Sequence, residues 1–252
     1  MKQWKLYIVT WFGLAWLPAL AAGSTVDPTI IMQRLINAYD GIHDYTTLFL
    51  KRERIAGVMR PIEKIEMRFQ QPFKIYMAWQ KPDNGRVLTF IKGKNNNKIL
   101  VNPGGILRFM QISLAPTNVL AMRNEHHSIL QVGLHNTIML LKQQYERGMQ
   151  RNEIDLYFRG YGEIDGRPTY HLEFICRADN QDGYYAYRGE IWVDQEHYLP
   201  IKLYIYDWDN KLYEHYEYHR LRLNPGLDPE AFIIPTEDSV QSSTQTTEVF
   251  AD

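Results

Sequence analysis

In two long stretches of this 252-residue chain, apolar side chains fall on every second residue, and that period of two limits the fold more than any other feature. Alternation belongs to strands, whose successive side chains point to opposite faces, whereas a helix returns to one face every three or four residues. In the first stretch, residues 45–101, Ile65, Met67 and Phe69 alternate with Lys64, Glu66 and Arg68. After Gln71 and Pro72, the residues Phe73, Ile75, Met77 and Trp79 form a second apolar set. Turn residues at 82–85 and 93–97 separate short strands expected at 87–91 and 98–101. In the second stretch Ile154, Leu156 and Phe158 alternate with Glu153, Asp155, Tyr157 and Arg159, and Tyr170, Leu172, Phe174 and Cys176 oppose His171 and Glu173. Further strands are expected at 184–193, 200–206 and 211–223, the last two joined by a hairpin at 207–210. Strand-helix-strand alternation is absent from this pattern, which argues against a doubly wound nucleotide-binding fold. The expected architecture is α+β, a strongly curved antiparallel sheet with covering helices.

Two segments break the alternation. Asp27 before Pro28 is an N-cap and first-turn pair, with Ile30, Ile31, Leu35, Ile36 and Tyr39 as an apolar face up to Gly41. Residues 128–148 read as a second helix with the stripe Ile129, Leu130, Leu134, Ile138, Leu141 and Tyr145, weakened inside by Gly133. Between the blocks, residues 107–120 have no clear period, and Pro116 limits any helix before it.

The ends carry an address. Lys2 and Lys5 precede an apolar run at 6–17 and the small-x-small triplet Ala19-Leu20-Ala21, the pattern of a removable signal peptide over 1–21. One domain is expected over 22–235, followed by a Ser/Thr/Gln-rich tail over 236–252 with little to bury. The expected location is the periplasm, soluble after cleavage. Lys and Arg number 28 against 29 Asp and Glu, and losing Lys2 and Lys5 with the leader brings the balance to −3. That balance gives no electrostatic case for nucleic acid. Cys176 is the only cysteine, so no disulfide can form within the chain, and its place in an apolar alternation suits a small core residue.

Two patches carry a family resemblance. The first is Met67-Arg68-Phe69-Gln70-Gln71-Pro72-Phe73 with Tyr76-Met77-Ala78-Trp79 and the turn-rich residues 92–105. The second is residues 216–223 followed by Asn224-Pro225-Gly226-Leu227-Asp228-Pro229-Glu230-Ala231-Phe232-Ile233-Ile234-Pro235. Together they resemble the periplasmic lipoprotein-carrier (LolA/LolB-like) superfamily, and within its reach an exported family with a DUF1571-type domain. The resemblance implies an unclosed barrel of about eleven strands around an apolar cavity, helices as a lid, and a carrier of lipid or acylated cargo. It also implies an arginine on an early strand that latches the lid, for which Arg52 and Arg54 are the candidates.

Candidate site residues follow from these expectations. An apolar ligand would meet Phe49, Phe69, Phe73, Met77, Trp79, Phe90, Phe158, Phe174 and Trp192 on the sheet, with Leu130, Leu134 and Ile138 on the cover. Tyrosine is abundant at 17 residues. Tyr204, Tyr206 and Tyr213, with Trp208 at a hairpin tip, offer an alternative: a non-enzymatic docking surface for an envelope protein or saccharide, over a filled core. Catalytic patterns such as a phosphate loop, a zinc-protease motif or a serine elbow do not occur. His126 and His127 could hold a metal only if distant residues completed the shell, and are placed on a solvated approach to the helix. Asp207 and Asp209 suit a turn, and His215, His219 and Glu217, with Glu214 across the pleat, suit a charged outer face. The reading is therefore a binding protein, not an enzyme, without cofactor or metal, and of open oligomeric state.

Overall fold

The computed structural model describes residues 26–178 and 183–235. The expected leader at 1–21 and the tail at 236–252 lie outside these residues.

All twelve described strands belong to one antiparallel sheet: β1 (Asp44–Ile55), β2 (Val58–Met59), β3 (Glu63–Gln70), β4 (Lys74–Lys81), β5 (Val87–Ile91), β6 (Ile99–Asn102), β7 (Ile112–Leu114), β8 (Ile154–Ile164), β9 (Arg167–Cys176), β10 (Arg188–Asp194), β11 (Pro200–Tyr206) and β12 (Leu212–Leu223). Eleven of them run in the order β7-β6-β5-β4-β3-β1-β12-β11-β10-β9-β8, and β2 pairs with β1 at the side. The two alternating stretches of sequence are thus two meanders, sewn together where β1 pairs with β12. β7 and β8 are the outer members of the order and do not pair, so the sheet stays unclosed.

The cover comes from the segment between β7 and β8 and from the N-terminal helix α1 (Pro28–Ile36), whose first turn is capped by Asp27 accepting from the Thr29 N–H at 2.8 Å. Helix α2 (Val119–Met122) is one turn long, and α3 (Leu134–Arg151) is the main cover. The expected helix over 128–148 is instead a single 3-10 turn at Ile129–Gln131 followed by α3. Gly133 divides them at φ 108°, ψ 160°, a region open essentially to glycine. Close approach also requires it: a Cβ there would stand 2.9 Å from the Tyr45 hydroxyl oxygen. That buried hydroxyl accepts the Leu134 N–H at 3.2 Å, so a strand side chain caps the cover helix.

Alternation along β1 sends Tyr45, Thr47, Phe49, Lys51 and Glu53 to the covered, concave face. Tyr45, Phe49, Ile65, Met67, Phe69, Ile75, Met77, Leu172, Ile191 and Leu203 join the cover residues Met32, Leu35, Leu134 and Ile138 in one core. A second small core holds Ile154, Cys176 and Tyr184. Past β12, residues 224–235 cross the convex side of β3 to β5. There Arg68 donates to the Ala231 carbonyl at 2.9 Å, and Thr89 donates to the Phe232 carbonyl at 2.7 Å. Phe232 is fully buried in the 3-10 turn Pro229–Phe232, but residues 232–234 add no strand to the sheet.

Candidate functional site

Between the concave face of the sheet and the cover lies a cavity of about 670 Å³. Of the residues expected to meet a ligand, Phe49, Met77, Trp79 and Phe174 line it. Phe69, Phe90, Leu134 and Ile138 are packed solidly in the core instead, and Phe73 and Phe158 lie partly buried against it. Leu130 points away at 43% exposure. Trp192 belongs to the other face of the sheet, where its ring stacks on His171 at 4.2 Å.

Parity along β1 also places the two latch candidates. Arg52 and Arg54 point outward, Arg52 donating to the Arg60 carbonyl and Arg54 to the Leu212 carbonyl, both at 2.8 Å, and neither pairs with an acid of the cover. Their neighbour Lys51 points inward, is buried, and pairs with Glu125 on the covering segment. It also stands 3.4 Å from Glu63 and 3.8 Å from Glu53. Burial alone would pull the lysine down, but the three carboxylates outweigh it and push its pKa above the ordinary value. Burial in turn pushes Glu125 up against the opposing pull of Lys51, with Glu63 and Glu53 adding to the rise. A strand reading that places apolar residues on the inner face has no signal for a lysine there, and the resemblance points to arginine, so neither leads to Lys51.

Beside Lys51 lies a second polar group that the sequence placed on solvent. Glu214 on β12 is 1% exposed and lines the cavity with Tyr216 and Tyr218. One of its oxygens lies 2.8 Å from His126 Nδ1 and 3.1 Å from His127 Nε2, and accepts the Tyr185 hydroxyl. Burial would raise the Glu214 carboxyl, but the contacts with the two histidines and Tyr185 overcome it and hold its pKa at about 2. Glu53 accepts the Tyr216 hydroxyl at 2.6 Å and the His126 backbone N–H at 3.0 Å. His126 and His127 are therefore half-buried members of the wall rather than residues of a solvated approach, and Glu214 belongs to the cavity rather than to an outer face. Tyr184 and Tyr185 precede β10 instead of lying in it, which lets Tyr185 turn inward.

The proposed docking residues are partly covered. Trp208 is half-buried against the second core rather than exposed, and Tyr206 lies under the Arg188 guanidinium at 3.6 Å. Tyr204 meets Trp192 and His215 edge to face, and Tyr213 stacks on His126 at 4.1 Å. By contrast, residues 106–120 before the cover expose Ile106, Phe109, Val119 and Leu120 at 95, 68, 82 and 67%. This segment continues into the cavity wall through Pro116 and Ala121. None of the described helices is long and apolar enough to cross a membrane.

The fold is thus an open antiparallel sheet with a helical cover, a cavity between them and a buried ionic cluster in the cavity wall. The chain belongs to the DUF1571 family of proteins of unknown function, whose family model matches residues 42–239. No curated protein sequence matches it. Solved structures similar to it include the MucA/MucB complex of Pseudomonas aeruginosa, at 13% identity and a TM-score of 0.48 over 83% of this chain and 62% of that one. Others are the lipoprotein LppX of Mycobacterium tuberculosis, at 11% and 0.47 over 81% and 99%, and a LolA superfamily protein of Nitrosomonas europaea, at 12% and 0.35 over 83% and 98%.

Proposed function

We propose that this protein binds an apolar or amphipathic ligand, a lipid or the acyl chain of a lipoprotein, noncovalently in its cavity, and acts as a carrier or chaperone in the periplasm. The observation that carries the reading is the cavity itself. Protein interiors are packed with few voids larger than a water molecule, so a space of about 670 Å³ is not a packing defect. It falls within the roughly 300–1,000 Å³ of ligand sites. Phe49, Met77, Trp79, Phe174 and Leu203 give it apolar walls, while Lys51 and Glu214 make one end polar, which suits a ligand with a head and a tail. The exposed apolar residues at 106–120 form a lip beside it, the kind of patch that meets another apolar surface. A docking surface over a filled core has less support, because a cavity lies between the sheet and its cover and Trp208 is half-buried.

Native mass spectrometry on protein from the exported fraction, before and after organic extraction, tests the proposal. A removable adduct identified as a lipid or acyl chain is expected, together with binding of a fluorescent fatty acid by the extracted protein. Ala121→Trp, which adds an indole to the cavity wall, is expected to weaken that binding about tenfold, equivalent to ~1.4 kcal/mol. A bare mass and no probe binding would refute the carrier reading.

A further inference from the structure

We propose that Glu53, His126 and Glu214, with His127 beside them, form a site for a divalent first-row transition ion in the wall of the cavity. One donor atom from each of the first three residues lies within 4.8 Å of the others. His126 Nδ1 and His127 Nε2 stand 2.8 and 3.1 Å from the same Glu214 oxygen. With metal–ligand bonds of about 2.0–2.2 Å, neighbouring ligand atoms around one ion stand roughly 3.0–3.6 Å apart, so each histidine nitrogen already stands near ligand spacing from the Glu214 oxygen.

Two further observations point to a cation. The first is the setting of His126. Its Nε2 lies 3.1 Å from the Arg54 carbonyl, which can only accept, so that nitrogen carries a proton and Nδ1 is turned toward the carboxylates. A ligating histidine is commonly oriented in this way, by donating its other ring N–H to a backbone carbonyl. The second is charge. Glu53, Glu63, Glu125 and Glu214 converge here with one lysine, Lys51, and the side chains of Glu53 and Glu214 are only 3% and 2% exposed. Arg86 also reaches the cavity, but it lies over the Trp79 ring and pairs with Asp83 at 3.6 Å. Buried charge without a counterion is strongly disfavoured, and a divalent ion would balance this excess. Imidazole and carboxylate donors suit Zn²⁺ and its first-row neighbours rather than a soft ion. Adjacent histidines alone do not make a site; the fold supplies the missing ligands from positions 73 and 88 residues away from His126.

The inference does not depend on what the cavity carries, and its test is read without lipid. Protein purified without a histidine tag, stripped with chelator and titrated with Zn²⁺ in a calorimeter is expected to bind one equivalent. Co²⁺ in its place is expected to give the visible absorption of a low-symmetry nitrogen and oxygen shell. His126→Asn and Glu214→Gln are each expected to weaken Zn²⁺ binding by at least about 100-fold, and Glu53→Gln serves if either fails to fold. The alternative is a cluster neutralised by protons alone. Substoichiometric uptake by the parent protein, or affinity unchanged in these variants, would establish that alternative and overturn the site.

Discussion

Strand β12 carries an acid with histidine partners on each of its faces, and the two clusters are built in different ways. On the convex face Glu217 lies 2.6 Å from His215 Nε2, 2.6 Å from His219 Nε2 and 3.0 Å from Lys202 Nζ. These partners are two residues away on the same strand or opposite on β11. On the concave face Glu214 meets His126, His127 and Tyr185, which the chain brings from 29 to 88 residues away. The outer cluster has a lysine for its acid. The inner one, with Glu53, Glu63 and Glu125 around Lys51, has more carboxylates than cations and borders the cavity. Local pairing along a strand and across to its neighbour is the ordinary behaviour of cross-strand charges. Distant pairing of excess acid beside a cavity requires other interactions to hold it, and this contrast separates the two faces of β12.

Removing the one lysine of the inner cluster should produce the largest effect. Lys51→Met keeps a side chain of similar length but leaves Glu53, Glu63 and Glu125 without their cation. Breaking a buried ion pair from one side costs about 3–5 kcal/mol. Urea denaturation is expected to show a loss of that order, and Glu125→Gln in the same chain should recover part of it, since one of the stranded carboxylates is then gone. Lys202→Met, the matching change on the convex face, should cost less, because His215 and His219 still partner Glu217. Equal losses for the two lysines would erase the distinction between the faces.

The same contrast sets what the sequence reveals. Alternation made the two meanders legible, together with the helical cover, because each depends on residues close in the chain. The pairing of Asp207 and Asp209 with a turn was legible for the same reason: the Asp207 side chain accepts from Asp209 and Lys211 N–H groups. The inner cluster was hidden because it needs the closure of β1 on β12, which brings residue 53 beside 214, and because a charged residue in an alternating strand reads as outward. Lys51 and Arg52 differ by one position, and only the register of the whole strand tells which faces the cavity. Gly133 was legible as a weak point in a helix; its role as the boundary depended on the Tyr45 hydroxyl, 88 residues earlier.

A smaller effect is expected where the cover meets the sheet. Gly133→Ala forces a Cβ into a conformation suited only to glycine and against the Tyr45 hydroxyl, at a cost of about 1–3 kcal/mol. The change should loosen the segment that carries Glu125, His126 and His127, while the Glu217 cluster on the opposite face stays as it is. Amide hydrogen exchange is the suitable measurement, with faster exchange expected at 124–136 and none of that acceleration in β10 and β11. Uniform acceleration through the sheet would mean that cover and sheet open as one unit and that the two faces are not independent.

The smallest change tests the outer face by pH. Burial would raise the Glu217 carboxyl, but His215, His219 and Lys202 outweigh it and hold its pKa at about 2, against an ordinary 4.5. A carboxyl depressed in the folded state binds protons more weakly than in the unfolded chain, so its stabilisation is present above about 4.5 and is lost as the pH falls toward 2. Glu214 titrates in the same window, also at about 2, so the acid limb of the parent protein sums both faces. Glu217→Gln removes one contribution and leaves the other. At neutral pH it is expected to cost about 1 kcal/mol, and between pH 5 and 2 its stability should fall less steeply than that of the parent. Parallel acid limbs would show that the outer carboxylate gains nothing from its partners in the fold, leaving the Glu214 side of β12 as the source of the acid sensitivity.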